Sequence, residues 1–311
     1  MQIIATVPAP YREDMVKRIA SHLYVDAVRF NTGARSDVPP LQTLQRLTEL
    51  IGDKDLWIDL KGRQLRIKRW AMPDKGTIVL NHNIRIFPPS SEDEIIFRNG
   101  TQEGFRSRIV SVRSGNRVFV DPPPKYAVGD GQSINIHAKN LFIKGYLTAE
   151  DEAYIRAANE LGLKNFMLSF VEKITDFTDL LKIIPDANIA LKIESPKGLA
   201  LLDQINFEQY ENVRLMVARD DLLINLSDRS DIISETRRML EFDPRTIVAS
   251  RILTSTINQD DRVNGTPNPP SLGDIADLTL LQESGCFYLM LCDDLCQSSA
   301  FGSAMEYLVR R

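Results

Sequence analysis

Short apolar runs rich in β-branched residues alternate along most of the chain with amphipathic stretches of helix length. The runs fall at 3–7, 25–31, 56–60, 166–171, 189–194, 214–219, 246–250 and 287–292, each short enough and apolar enough for a buried strand. Between and after them, apolar positions recur at helical spacing over 11–22, 40–51, 148–161, 175–184, 197–204, 229–241, 271–284 and 298–310. Eight such strand–helix units fit an α/β fold of the (β/α)8 TIM-type barrel class better than a doubly wound sheet. In a barrel, chemistry collects where the strands end.

The alternation is interrupted once. From 67 to 142 the texture changes to TIVL, IRIF, SRIVSV, NRVFV and SINIHA, short alternating runs separated by Asn, Gly, Pro and Ser. We expect a small inserted β-rich domain over 67–142, lid-like in its position after the third strand, with 1–66 and 143–311 forming the barrel. The stretch from Asp121 through Pro122, Pro123 and Pro124 reads as a rigid corner.

Composition narrows the function classes. With 311 residues, 43% hydrophobic and 26% charged, the chain can bury one large core and a smaller second one. A net charge of -4 gives no general attraction to nucleic acid or anionic membrane, so any site for an anion must be local. No stretch reaches the roughly eighteen apolar residues of a membrane span, and the N-terminus has no basic segment leading into an apolar one. A cytoplasmic protein is expected. Cys286, Cys292 and Cys296 have no CxxC spacing and read as inert thiols, while His22, His82 and His137 fall in no ligand pattern.

Charge at the end of a barrel strand has no structural necessity, which makes those positions informative. The second strand ends in Arg29 and Asn31, the third in Asp59 followed by Lys61, and the fifth in Lys192 and Glu194. Arg219, Asp220 and Asp221 end the sixth, and Ser250 and Arg251 the seventh. Lys192 and Glu194 are two apart, so on a strand both face the axis. Glu194 with Asp221 from the neighbouring strand suits Mg²⁺ or Mn²⁺, ions content with one or two carboxylates plus water and substrate oxygens. Lys192 would clamp a phosphate or exchange protons, burial lowering its pKa, and Arg29 would grip an oxyanion by two hydrogen bonds. The same residues also suit a structural Lys192–Glu194 ion pair with Asp221 capping the following helix.

The order of these motifs resembles the pyruvate kinase family. IIATVP at 3–8, VDAVRFN at 25–31, IDLKGRQLRI at 58–67, LTAEDEAYI at 147–155, FMLSFV at 166–171, LKIESPKGLALLDQI at 191–205, LMVARDDL at 215–222 and ASRILTS at 249–255 are collinear with it. By that resemblance, Lys192 matches a catalytic lysine, Glu194 and Asp221 match divalent-metal ligands, and Arg29 a substrate phosphate contact. Ser250 matches a threonine on the substrate carboxylate, Asn31 and Asp59 part of a monovalent-cation site, and Arg66 an arginine near the nucleotide phosphates. The implied reaction moves a phosphoryl group between phosphoenolpyruvate and ADP through a pyruvate enolate, with ADP or ATP as the nucleotide.

Departures from the family pattern shape the expectation. Gly33, Ala34 and Arg35 stand where the family has Ser-His-Gly, Leu60 replaces a threonine of the cation site, Asp220 replaces a glycine, and Ser195 an asparagine. The first two changes argue against potassium activation, with Arg35, Lys61 or Arg251 as substitute fixed charge. The sequence ends after the eighth strand and helix, so no C-terminal regulatory domain is expected, and an oligomer would use other surfaces. Three functions follow: a phosphotransferase acting on a small oxyacid or phosphate ester; a lyase or aldolase using the same metal-stabilised enolate without nucleotide; and a silent scaffold, against which retention of the whole constellation argues.

Overall fold

The computed structural model describes residues 1–33, 38–71, 76–99, 102–258 and 266–310. Ala34 and Arg35, two of the residues singled out from the sequence, lie outside them. The chain divides into two compact units, Met1–Leu60 with Ala153–Arg311, and Lys61–Glu152. The second unit is therefore longer than the 67–142 expected from composition.

The first unit is a closed barrel of eight parallel strands: β1 (Gln2–Val7), β2 (Ala27–Asn31), β3 (Asp55–Leu60), β11 (Asn165–Leu168), β12 (Asn188–Ile193), β13 (Val213–Ala218), β14 (Ile247–Ala249) and β15 (Tyr288–Leu291). The expected fold class is observed. Each strand reads as a near-continuous apolar run because a parallel barrel strand is buried on both faces. Helices α1 (Glu13–Ala20), α2 (Pro40–Ile51), α3 (Ala149–Glu160), α4 (Ile174–Ile183), α5 (Pro196–Leu202), α7 (Ile232–Phe242), α8 (Leu272–Glu283) and α10 (Phe301–Val309) correspond to the eight helical stretches of the sequence. Their ends carry local signals. Pro40 opens α2 and Gly52, at φ 64°, follows it; Ser271 and Asp274 form a capping box on α8.

The barrel interior is layered. Ile4, Ala27, Trp57, Met167, Ala190, Met216, Ile247, Ala249 and Met290 make one apolar core cluster, small residues facing large ones as an eight-stranded interior requires. Toward the strand starts, the Arg214 guanidinium stacks on the rings of Trp57 and Tyr288 at 5.7 and 5.1 Å, so its charge meets aromatic faces.

Two short helices have no counterpart among the periodic stretches of the sequence. α6 (Arg219–Asn225) follows β13 directly and α9 (Asp293–Gln297) follows β15. They change the setting of residues that periodicity assigns to strand ends: Arg219, Asp220 and Asp221 form the first turn of α6.

The second unit holds a five-stranded antiparallel sheet in the order β4 (Thr77–Val79), β8 (Arg117–Asp121), β7 (Gln102–Arg113), β6 (Glu94–Asn99), β9 (Ile134–His137), plus the pair β5 (Ile84–Ile86) and β10 (Leu141–Ile143). β6, not expected from the sequence pattern, sits between β7 and β9. The unit's own apolar core includes Leu65, Ile67, Ile78, Leu80, Ile95, Phe97, Val118 and Ile134. Among the described residues, no helix is long and apolar enough to cross a membrane.

Candidate active site at the barrel mouth

The period of two along a strand builds the site. Ile4, Ala27, Trp57, Met167 and Ala190 belong to the apolar layer, and two residues further on stand Thr6, Arg29, Asp59, Ser169 and Lys192, all buried. Alternation keeps each on the axial side. The layer above the core is therefore polar and enclosed.

Asp59 is its hub. One carboxylate oxygen accepts from Arg29 Nε and Nη2 at 2.9 and 2.5 Å, and Lys192 Nζ lies 3.1 and 3.2 Å from the two oxygens. Lys192 also donates to Ser169 Oγ at 2.8 Å, whose own hydroxyl donates to the Leu60 carbonyl at 2.7 Å. Arg29 Nη1 reaches Asp293 at 2.9 Å and Thr6 Oγ1 at 3.3 Å. Burial disfavours the Asp59 carboxylate, yet Lys192 and Arg29 outweigh it and hold its pKa below the ordinary value.

Lys192 corrects a sequence expectation. Burial does push its ammonium down, but the charges of Asp59 and Glu194 outweigh that penalty and raise its pKa. Lys192 is thus held protonated, a donor and a fixed charge. Its distance to Glu194 is 3.5 Å, longer than to Asp59, so Asp59 is its principal counter-ion rather than the Glu194 of the alternative ion-pair reading.

Glu194 lies just past the end of β12 with its side chain 1% exposed. Its Oε2 accepts the Phe170 N–H at 2.7 Å, and Phe170 takes a left-handed φ of 51°, an uncommon backbone for a bulky residue and one concentrated at functional sites. Asn225 Nδ2 donates to the Glu194 carbonyl at 2.8 Å, tying β12 to α6. Burial, opposed by the charge of Lys192 and reinforced by that of Asp221, pushes the Glu194 carboxyl up to about 8. After Glu194, Ser195 Oγ caps α5 through the Gly198 N–H and donates to Glu172 at 2.8 Å. A Cβ on Gly198 would meet the Val171 carbonyl oxygen at 2.8 Å, so only glycine lets α5 sit so close behind the site.

The other side of the mouth is built from loops. Arg219 chelates Asp277 at 2.6 and 2.9 Å and donates to the Ser250 carbonyl at 2.8 Å. Arg251 Nε lies 2.5 Å from Asp220. Ser250, Arg251 and Leu253 all have positive φ, at 71°, 60° and 53°.

The structure therefore brings Arg29, Asp59, Lys192 and Glu194 into one cluster, with the charge of Asp221 acting on Glu194. Asn31 stands in register with Asp59, and its Oδ1 accepts the Gly33 N–H within its own turn. Arg66 belongs to the second unit, where its guanidinium binds Gln64 Oε1 at 2.9 and 2.5 Å and the Gly131 carbonyl at 2.8 Å. Lys61 is in that unit too, paired with Glu150 at 2.6 Å. Thr6, Ser169 and Asp293 are not among the residues that the sequence singles out. The first two follow from the period-two signal that locates Lys192; Asp293 has no such signal, because it precedes no regular pattern.

A divalent cation can be weighed against these donors. Among the described residues no three His, Cys, Asp or Glu side chains form a metal-holding group. Glu194 and Asp221 nevertheless fit Mg²⁺ or Mn²⁺, because a dry carboxyl raised by burial beside a second carboxylate is relieved by a cation, and these ions keep several positions for water and ligand oxygens. The cysteines add nothing: burial pushes Cys286 up to about 11 and Cys292 to about 12, and raises Cys296 well above the ordinary thiol value, as expected for inert thiols.

No protein-family model matches the chain. It is 25% identical over 335 residues to a pyruvate kinase of Thermoplasma acidophilum, across 99% of the chain and 56% of that protein. It is 24% identical over 283 residues to a pyruvate kinase of Borreliella burgdorferi, across 82% of the chain and 56% of that protein. The chain thus spans about half the length of the curated relatives it matches. With the closed eight-stranded barrel carrying an inserted small antiparallel unit, these similarities are consistent with a divergent pyruvate kinase-like protein.

Proposed function

We propose that the barrel mouth is the active site of a metal-dependent phosphotransferase of pyruvate kinase type. It acts on phosphoenolpyruvate, pyruvate or a related oxyacid through an enolate. The observation that carries this reading is the buried cluster in which Arg29 and Lys192 share Asp59 beside Glu194. Fixed donors in an enclosed site stabilise negative charge that develops on a ligand without having to reorganise.

Glu194 and Asp221 would hold Mg²⁺ or Mn²⁺, which when bound supplies charge stabilisation at an enolate oxygen. Lys192 stays an ammonium chiefly under the charge of Asp59, and donates hydrogen bonds to the oxyanion. Asp59 fixes the direction of both cations. Arg29, held by Asp59 through Nε and Nη2, presents Nη1 to a phosphate or carboxylate. Ser250 is half-buried at the end of β14, and its hydroxyl is the group assigned to the substrate carboxylate. The strand frame excludes water from below, since the apolar layer closes directly under these residues. ADP or ATP would serve as phosphoryl acceptor or donor; potassium has no clear ligand set, since both Asp59 oxygens already face cations.

One observation favours a second reading, lyase or aldolase chemistry on the same enolate without nucleotide. Arg66, the residue matched to nucleotide phosphates, already spends its guanidinium on Gln64 and the Gly131 carbonyl. The enolate residues, by contrast, all lie in one unit.

Exchange of the pyruvate methyl protons in D₂O, followed by NMR with Mg²⁺ or Mn²⁺, tests the shared step. Metal-dependent exchange is expected, falling by on the order of 10²-fold or more in Lys192→Ala and Glu194→Gln. Absence of exchange, together with variants that bind pyruvate as well as wild type, would refute it. A lactate dehydrogenase-coupled assay with phosphoenolpyruvate and ADP then separates kinase from lyase.

A further inference from the structure

The geometry points to Asp293 as the specificity-determining residue of the mouth, a counter-ion that occupies Arg29 and so disfavours phosphorylated oxyacids relative to less charged ones. This rests on the proposed oxyacid site.

Arg29 has no idle edge. Its Nε and Nη2 are committed to Asp59 and its Nη1 to Asp293 and Thr6. The two carboxylates differ in how firmly they are held. The Asp59 side chain is 2% exposed, while that of Asp293 is 43% exposed. Asp59 is therefore a permanent partner and Asp293 an exchangeable one, since an ion pair open to water is weakly held. A ligand oxyanion that reaches Arg29 must displace the Asp293 carboxylate or lie beside it.

The backbone under Asp293 is anchored. Cys296 Sγ accepts the Thr6 N–H at 3.3 Å, and Arg18 donates to the Cys296 carbonyl at 3.0 Å. The displaced carboxylate accordingly stays near the mouth. Asp220, the acid that stands in place of a glycine, is paired with Arg251, whereas Asp293 is the exposed carboxylate bonded to Arg29 itself. Like charges separated by several ångströms in a partly enclosed site repel strongly, and the repulsion grows with the charge of the ligand. A phosphoenolpyruvate anion suffers it more than pyruvate.

The test compares Kd values for phosphoenolpyruvate and for pyruvate, each measured with Mn²⁺ by water-proton relaxation, in wild type, Asp293→Asn and Asp294→Asn. Asp294 makes no ion pair with a described residue, so its variant removes the same charge without the contact. Asp293→Asn should tighten phosphoenolpyruvate about tenfold and pyruvate about threefold or less, with Asp294→Asn changing both little. Asp293→Ser, which cannot retain the amide's hydrogen bond, should show the same order and covers a poorly folded Asn variant. Unchanged phosphoenolpyruvate affinity, or equal gains for both ligands, overturns the assignment while wild-type binding of pyruvate leaves the oxyacid site standing. If neither ligand binds wild type or variant, the site and the assignment fall together.

Discussion

The two sides of the barrel mouth are built differently. On the β2, β3 and β12 side, Arg29, Asp59 and Lys192 stand on strands, are buried, and are joined through the Asp59 carboxylate that both cations share. On the β13, β14 and β15 side, Asp220, Asp221, Arg251 and Asp293 stand on short helices and left-handed loop residues, and two of them, Arg251 and Asp293, are open to water. The first side fixes geometry through the sheet, so its charges are arranged before any ligand arrives. The second side sets the mouth's charge and can vary without disturbing the barrel. Division of a site into a rigid strand half and a variable loop half is how a barrel changes substrate while keeping its chemistry.

The sharpest test of the rigid side is Asp59→Asn. It leaves two buried cations without their counter-ion, and should destabilise the protein by about 3–5 kcal/mol in urea unfolding; a loss below ~1 kcal/mol would mean that the cluster is not closed to water. Arg219→Ala comes next, costing about 1–3 kcal/mol because it strands Asp277 and frees the Ser250 carbonyl. A loss confined to oxyacid binding, with unchanged unfolding, would instead make Arg219 part of the ligand grip.

A pH titration probes the boundary between the two sides. The folded pKa of Glu194, about 8, is raised above its ordinary 4.5. The folded protein keeps a proton that the unfolded chain releases, so this group's contribution to stability declines as pH rises from about 4.5 to about 8. A divalent ion competes with that proton. Mn²⁺ affinity, measured by electron paramagnetic resonance, should therefore rise about tenfold per pH unit below about 8 and level off above it. Glu194→Gln should abolish the slope; a flat profile in wild type would show that Glu194 is already ionised without metal. The smallest effect is expected for Asp220→Asn. Its Arg251 partner is 46% exposed, so thermal unfolding should register less than about 1 kcal/mol. A larger loss would move Asp220 to the rigid side of the comparison.

Much of the rigid side is legible in the amino-acid sequence. The strands carrying Arg29, Asp59 and Lys192 announce themselves as apolar runs, and the spacing of Lys192 and Glu194 puts both on one face. The same arithmetic extended by one step from Ile4 and Met167 finds Thr6 and Ser169. The motif identifies Asp221 but assigns it to a strand end, whereas it stands in the first turn of α6. Neither α6 nor α9 stands out in the pattern, because α6 follows β13 without a break, so its first residues read as the strand's end, and α9 has only five residues. β6 is hidden for a related reason: EIIFRN has no clean alternation, because one strand of a sheet interior is shaped by its neighbours.

The sequence by itself determined the barrel, the inserted β-rich unit, the buried cationic and anionic strand residues and the similarity to pyruvate kinases. Periodicity and collinear motifs are local records of burial. Only the tertiary structure decided that Asp59 is the shared counter-ion, that Lys192 stays protonated, and that Asp293 meets Arg29 across 264 residues of chain. Ion pairing and pKa depend on which charges burial brings within a few ångströms, and no spacing along the chain encodes that.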